Sequence, residues 1–329
     1  MKKKINSILG ILILTNIVLL ACGKEKLTQN TFGIRHDKTI GEYEAVATNQ
    51  APYNTTDYPD FSPVVSFSYG LEGTANDEYT ATGTFITSEW ILTAGHNFYV
   101  AEEQAFPAPA SGIKVLVGND PNNPTHVLDV AEVVYHPSWI TENQDFIKAN
   151  DMSLVRVEIP FNAVTPALFN TEMVEQTGNT TWYAGYGDYS NGSSQLSKKH
   201  AIENILDRKN EGITSSADGV SYTGGLLAFD FDSPFKDGNT LGDDVVNEDE
   251  SLLGDGTSDA TPTEFEGATV QGDSGGPIFM KINGQWKVCG VLSGGVNKPV
   301  KKHRQSDYGD ISVFIRTATH KDWIESVIY

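Results

Sequence analysis

Apolar residues come along this chain in short bursts separated by glycine, proline, asparagine and aspartate. The bursts fall at residues 84–86, 90–92, 113–117, 127–135, 154–159, 181–186, 286–292 and 311–315. Runs this short, rich in valine, isoleucine, threonine and aromatic residues, predict the strands of an antiparallel barrel or sandwich. Helical spacing is confined to the C-terminus, where Trp323, Ile324, Val327 and Ile328 share one face of a short helix over about 318–328. Asn283-Gly284 between two apolar runs predicts a two-residue hairpin loop that pairs Ile282 with Gln285. Carried outward, this register sets Ser274 opposite Ser293, and a bulge would move it by one residue. Ser293, Gly294 and Gly295 then leave the hairpin beside Ser274, with backbone open for an extended peptide to pair with.

Ser274 stands in QGDSGGP, residues 271–277. Glycine tolerates unusual φ, so the N–H groups of Gly272 and Ser274 can converge where a negative oxygen would develop beside the hydroxyl. Asp273 would turn inward, where a buried carboxylate needs a cationic partner. The hydroxyl itself needs a base, and His96 ends WILTAGH, an apolar strand leading into a small-residue turn. Asp151, in NDMSLV at the mouth of another strand, can be shielded and accept from the ring N–H. A lone histidine is ordinarily structural, and His36, His126, His136, His200, His303 and His320 are read that way. What carries weight is three such contexts in the order His, Asp, Ser.

Composition narrows the picture. With 329 residues, 39% of them hydrophobic, the chain can bury a substantial core. A formal charge of −20 excludes the nucleic-acid binders, which need a basic face. Lys2, Lys3 and Lys4 followed by an apolar stretch over residues 8–20 predict an export signal over residues 1–21. The sequence LLAC at 19–22 resembles a bacterial lipobox, which implies acylation of Cys22 and a cell-envelope lipoprotein; a plain secretory signal is the alternative. Residues 22–40 are then a lipidated tether or propeptide. Cys289, in an apolar run, is expected to be a buried inert thiol. Residues 230–266 hold twelve acidic side chains against one basic one, Lys236, and predict a solvated surface insertion. Asp237, Asn239, Gly242 and Glu248 there follow a calcium-loop spacing, but Leu241 takes a ligand position and flanking helices are not evident. No metal or other cofactor is expected, with calcium in this insertion as the alternative. The basic run Lys301-Lys302-His303-Arg304 is read as a solvated loop.

The stretches TGTFITSEWILTAGH, NDMSLVRVEIP, TWYAGYG, QGDSGGPIF, VCGVLSGG and SVFIRTATHKDWIESVI together resemble the trypsin-like serine endopeptidases of the chymotrypsin fold. The resemblance spans about residues 82–328. It implies an all-β molecule of two antiparallel Greek-key barrels, about 55–165 and 170–317, with the site in the cleft between them. The protease domain would cover residues 41–329. By motif match His96 is the general base, Asp151 orients it, Ser274 attacks, and Gly272 and Ser274 form the oxyanion hole. Ser293, Gly294 and Gly295 become the substrate-binding strand. The implied reaction is hydrolysis of protein or peptide substrates through an acyl-enzyme, by a monomer without a cofactor. Pocket positions map to Ala268, Gly295 and Ser312; without a carboxylate at the base, a neutral or apolar P1 residue is expected. Asn97 stands where the family often has a cysteine.

In that family the aspartate before the nucleophile, here Asp273, pairs with an N-terminal amine made by activating cleavage. A cut near residues 33–40 would complete the site and release the enzyme from its anchor. The alternative is an internal cation, Arg35 or His36. Two other functions fit part of the pattern. A nucleophile elbow of an α/β-hydrolase esterase would use Ser274 with Asp310 and His320, against the run of strands upstream. A surface lipoprotein could instead keep the fold for binding alone.

Overall fold

The computed structural model describes residues 32–70, 79–100, 104, 106–142, 144–189, 197–236, 238–242, 251–296 and 306–329. The first six strands are β1 (Val64–Tyr69), β2 (Tyr79–Phe85), β3 (Trp90–Thr93), β4 (Lys114–Val117), β5 (His126–Tyr135) and β6 (Ser153–Val157). They close into an antiparallel barrel in the order β1-β2-β3-β6-β5-β4, with Ser66 opposite Leu116 at the closing seam. Alternation decides which side chains fill it: Val65 and Phe67 point inward to meet Ile91, Val115 and Val155. Their neighbours Val64, Leu92 and Leu154 point the other way, into a core shared with the second half of the molecule. A strand buried on both faces, as β3 is, reads as an unbroken apolar run, which is why that segment is visible in the sequence.

The second half holds β7 (Thr180–Gly185), β8 (His200–Ile205), β9 (Arg208–Ala217), β10 (Val220–Asp230), β11 (Asp255–Gly256), β12 (Pro277–Ile282), β13 (Gln285–Val296) and β14 (Ile311–Arg316). They form an eight-stranded sheet, β11-β9-β10-β14-β13-β12-β7-β8, curled into a half-barrel. Together with the closed barrel it makes the two-barrel chymotrypsin fold. The β12–β13 hairpin turns at Asn283 and Gly284, with φ of 50° and 80°, the left-handed values a tight two-residue loop needs. Its pairing follows the predicted register from Ile282↔Gln285 to Phe279↔Val288, then slips one residue at a bulge, so Ile278 faces Gly290. A turn of 3₁₀-helix (Thr317–His320) leads into the closing helix (Lys321–Ile328), whose Trp323 and Ile324 are buried.

Two segments pack more closely than their composition suggests. Residues 32–40, expected as part of a tether or propeptide, lie against the body. Ile34 is fully buried and bridges Gly267, Gly33 N–H donates to the Ser306 carbonyl, and Ala268 N–H donates to the Gly33 carbonyl. A helix, α1 (Ile40–Ala47), follows, its first turn held where Glu42 accepts the Thr39 N–H at 2.8 Å. Its Tyr43 and Val46 are fully buried. The signal segment and Cys22 lie outside the described residues.

The acidic insertion is also not simply solvated. Asp230, Asp232, Glu266, Leu241, Leu253 and Phe265 in it are buried. Hydrophobic anchors pull the segment down, and the carboxyls come with them. Of the calcium-loop positions, Asn239 spends its Oδ1 on Ser258 Oγ and Gly242 N–H, and Leu241 is buried; Asp237 and Glu248 lie outside the described residues. No cluster of metal-binding side chains forms among the described residues.

Candidate active site

β3 ends at Thr93, and the turn after it carries His96 to the junction between the two halves. Gly95 is obligatory there, because a Cβ would stand 2.8 Å from the Trp139 ring. His96 Nδ1 lies 2.6 Å from Asp151 Oδ2, and His96 N–H donates to Asp151 Oδ1 at 2.8 Å. One carboxylate therefore fixes both the backbone and the ring. The Asp151 side chain is fully buried while that of His96 keeps 17% exposure, so the free edge of the imidazole faces the cleft.

Asp151 has a third donor that the sequence did not reveal. Ser293 Oγ donates to its Oδ2 at 2.6 Å. The strand predicted to receive substrate thus also steadies the carboxylate. Behind Asp151 the turn is pinned by two histidines read as structural. His320 Nε2 donates to the Ala149 carbonyl at 2.7 Å, and its Nδ1 lies 3.1 Å from His136 Nε2. Burial disfavours a charge on either ring, lowering His136 to about 2 and His320 to about 4. Asn150 Nδ2 donates to Ser138 Oγ, which contacts His136 Nδ1 at 2.8 Å and completes the brace.

The turn at Ser274 is fastened to the first barrel by its carbonyl, which accepts Thr82 N–H at 2.9 Å and Asn97 Nδ2 at 3.0 Å. Asn97 directly follows His96, so the two turns are tied through adjacent residues. Asn97, in place of the family's cysteine, also donates to Thr93 Oγ1 at 2.9 Å and so restrains the histidine turn by hydrogen bonding. Gly275 lets the backbones approach this closely; its φ is +85° and a Cβ would fall 2.0 Å from Thr93 Oγ1. Gly272 has φ of +98°. Among the described residues, neither Gly272 N–H nor Ser274 N–H is taken by an acceptor of the chain. Two unspent donors flanking a hydroxyl are what an oxyanion requires.

A cavity of about 410 Å³ opens from Ser274 and is bounded by Ala268, Gly294, Gly295 and Ser312, the predicted pocket positions. It also holds Asp310, which spacing from the nucleophile could not find. Asp310 is 5% exposed and accepts Ser306 N–H at 2.5 Å. The expectation concerned a carboxylate at the pocket base; Asp310 adds one to the lining, alongside Ala268. A second hollow of about 680 Å³ runs from His96 past Gly294 and Val296 to Leu252 and Leu253 of the insertion. Phe146 roofs it, with ring centroid 5.5 Å from His96.

Asp310 and His320, the pair an α/β-hydrolase would need, are apart in function and place. One lines the pocket and the other braces Ala149 behind the histidine turn. Arg35 and His36, offered as internal partners of Asp273, are engaged elsewhere: Arg35 pairs with Asp37 at 2.6 Å and His36 with Asp307 at 3.4 Å. The basic run at 301–304 lies outside the described residues.

Two barrels meeting over a buried Asp–His pair and a glycine-flanked serine define the chymotrypsin-fold class of serine proteases. Comparison with protein families agrees: the family model described as Trypsin matches residues 56–231 and 245–324. The chain belongs to the trypsin family of serine proteases. The break in the match falls within the acidic insertion.

Proposed function

We propose that this chain is an active endopeptidase that cleaves protein or peptide substrates through an acyl-enzyme on Ser274. The carrying observation is the 2.6 Å contact of a buried Asp151 with His96, on a turn tied through Asn97 to the serine. With Nδ1–H held by Asp151, Nε2 is the basic edge and takes the Ser274 proton as Oγ adds to the scissile carbonyl. The carbonyl oxygen becomes negative between Gly272 N–H and Ser274 N–H, each such donor being worth about 3–4 kcal/mol of barrier. The imidazolium then returns its proton to the leaving amine, which departs and leaves the acyl-enzyme. Water enters and the same two transfers run again, with no cofactor in the sequence of steps.

The chain upstream of the cut would lie along Ser293, Gly294 and Gly295, with apolar residues entering the hollow under Phe146, Leu252 and Leu253. Ala268, Gly295 and Ser312 favour a small neutral or apolar P1 side chain. Asp310 supports a second specificity: if cleavage after Lys or Arg dominates a peptide library, that wall carboxylate is the recognition element. A fluorophosphonate probe tests the activity itself. Labelling that disappears in Ser274→Ala is expected; a chain that is folded but never labelled is a binding lipoprotein instead. The sequence pattern at 19–22 further supports export and lipid anchoring in a bacterial envelope. Metabolic labelling with a fatty acid, abolished in Cys22→Ala, would be its signature.

A further inference from the structure

The end of β13 has a hollow on each side of it. Gly294 and Gly295 border both the cavity that opens from Ser274 and the larger one, of about 680 Å³, beside His96. Beyond Leu292, β13 pairs with β14, as Gly294↔Val313 and Gly295↔Ser312, and among the described residues no strand takes its other edge. Both glycines are exposed, so an extended peptide can add along that edge. Successive side chains of an added strand alternate between its faces. With the residue before the cut in the Ser274 cavity, the second and fourth residues before the cut turn toward the larger hollow, the second of them nearer His96.

The breadth of that hollow has a cause in the sequence. Its floor is apolar, made by Val313 and Ile315 on β14 and by Leu226, which pairs with Ile315 from β10. Residues paired across strands point to the same face, so a side chain at position 294 would stand beside Val313 and cover this floor. Glycine leaves the floor bare, and a Cβ there would meet nothing within 4 Å. The acidic insertion supplies a wall. Its β11 adds to the edge of the sheet, Asp255 pairing with Lys209 and Gly256 with Arg208, and Asn210 Nδ2 donates to the Leu252 carbonyl. This sets Leu252 and Leu253 on the hollow, which Phe146 overhangs from the first barrel. Leu253 is buried, but Leu252 keeps 39% exposure and Phe146 45%. Half-exposed apolar side chains converging on an apolar floor, continuous with the cavity of Ser274, mark a place for apolar surface of the substrate.

We propose that the acidic insertion is a specificity element, its Leu252 and Leu253 selecting substrates with a large apolar side chain at P4, the fourth residue before the cut. That side chain takes the space left empty at Gly294 and covers Leu252, Phe146 and the Val313–Ile315 floor. The inference rests on the endopeptidase function proposed above. Burial of a phenylalanine or leucine side chain there should raise kcat/KM about ten-fold or more over glycine at P4.

The test uses fluorogenic tetrapeptide amides with P1 fixed at the residue a peptide library prefers, alanine at P2 and P3, and phenylalanine, leucine, glycine or aspartate at P4. Active enzyme is counted with a fluorophosphonate probe, which reacts at Ser274 and needs no P4 contact. Wild type is expected to favour phenylalanine and leucine over glycine by about ten-fold or more and to cleave the aspartate peptide worst. Leu252→Ser should shrink that ratio about three-fold or more, and Gly294→Leu, which fills the hollow, should bring it near one. Equal kcat/KM for phenylalanine and glycine in wild type would overturn the proposal. So would a ratio that Leu252→Ser leaves unchanged, because the insertion then plays no part in it. If Leu252→Ser does not keep its circular dichroism, the milder Leu252→Ala is read in its place. A chain that binds the probe but shows no P4 preference refutes this inference alone. A folded chain that never binds the probe refutes the endopeptidase function, and this inference with it.

Discussion

Ser293 illustrates how one residue serves two ends of a site. Its backbone lies on the strand predicted to receive substrate, and its hydroxyl donates to Asp151 at 2.6 Å. A hydrogen bond to a charged group contributes about 1.5–3 kcal/mol, so Ser293→Ala should lower kcat by about 10–100-fold with little change in KM. Steady-state kinetics on one peptide checks this; a change in KM alone would assign the hydroxyl to substrate contact. His96, Asp151 and Ser274 were legible because each sits in a local string whose small residues and strand edges announce an exposed polar group. Asp310 and the Ser293 hydroxyl were not, because only the fold brings one to the cavity of Ser274 and the other to Asp151. His200 is fully buried, and the sequence does not announce that its Nε2 lies 3.3 Å from Asp273 Oδ1.

At the level of elements, strands that carry an apolar run, such as β3, β7 and β14, were visible, and strands interrupted by polar residues were not. β8, β9 and much of β10 are polar along one side, as in KKHAIENILDRKNEGITSSADG, and carry no unbroken apolar run. What fastens them is partly ionic. Arg316 on β14 is fully buried and reaches both Glu175, in the link between the barrels, and Glu211 on β9 at 2.7 Å. Breaking one side of a buried ion pair leaves an uncompensated charge, so Arg316→Leu should cost about 3–5 kcal/mol. The double variant with Glu175→Leu should regain part of that loss. Urea titration of the two variants separates charge burial from packing, because equal losses would show that packing dominates. Lys199 acts likewise at the other edge, its fully buried Nζ donating to the Phe61 carbonyl at 2.9 Å; burial lowers it to about 7.

Across the whole molecule, the excess of negative charge was legible in composition, but its placement was not. Asp207 and Asp230 form a buried pair at the end of β10, each pushed up by burial, with Asp207 raised further by its neighbour. Burial also raises Asp232 to about 9 and Glu266 to about 8. A carboxyl raised in the fold holds its proton there while the unfolded chain has lost it. Its stabilising contribution is complete below about pH 4 and drains away as pH climbs toward the folded value. Asp232 Oδ1 has no hydrogen-bond partner among the described residues, so Asp232→Asn removes this penalty at little cost. Its melting temperature should match wild type near pH 4 and exceed it by a growing margin up to about pH 9, worth about 1–3 kcal/mol. A margin that stays constant with pH would show that Asp232 ionises freely in the fold.

The stitching of Gly33 and Ile34 into the pocket wall divides the chain into what can be shed and what cannot. Ala268, at the floor of the cavity, receives its neighbour from this segment, and Ser306 on the far wall accepts from it. Removing the chain ahead of Phe32 should therefore leave this wall in place, whereas a trim through Ile34 would strip two backbone hydrogen bonds from the edge of the cavity beside Ser274.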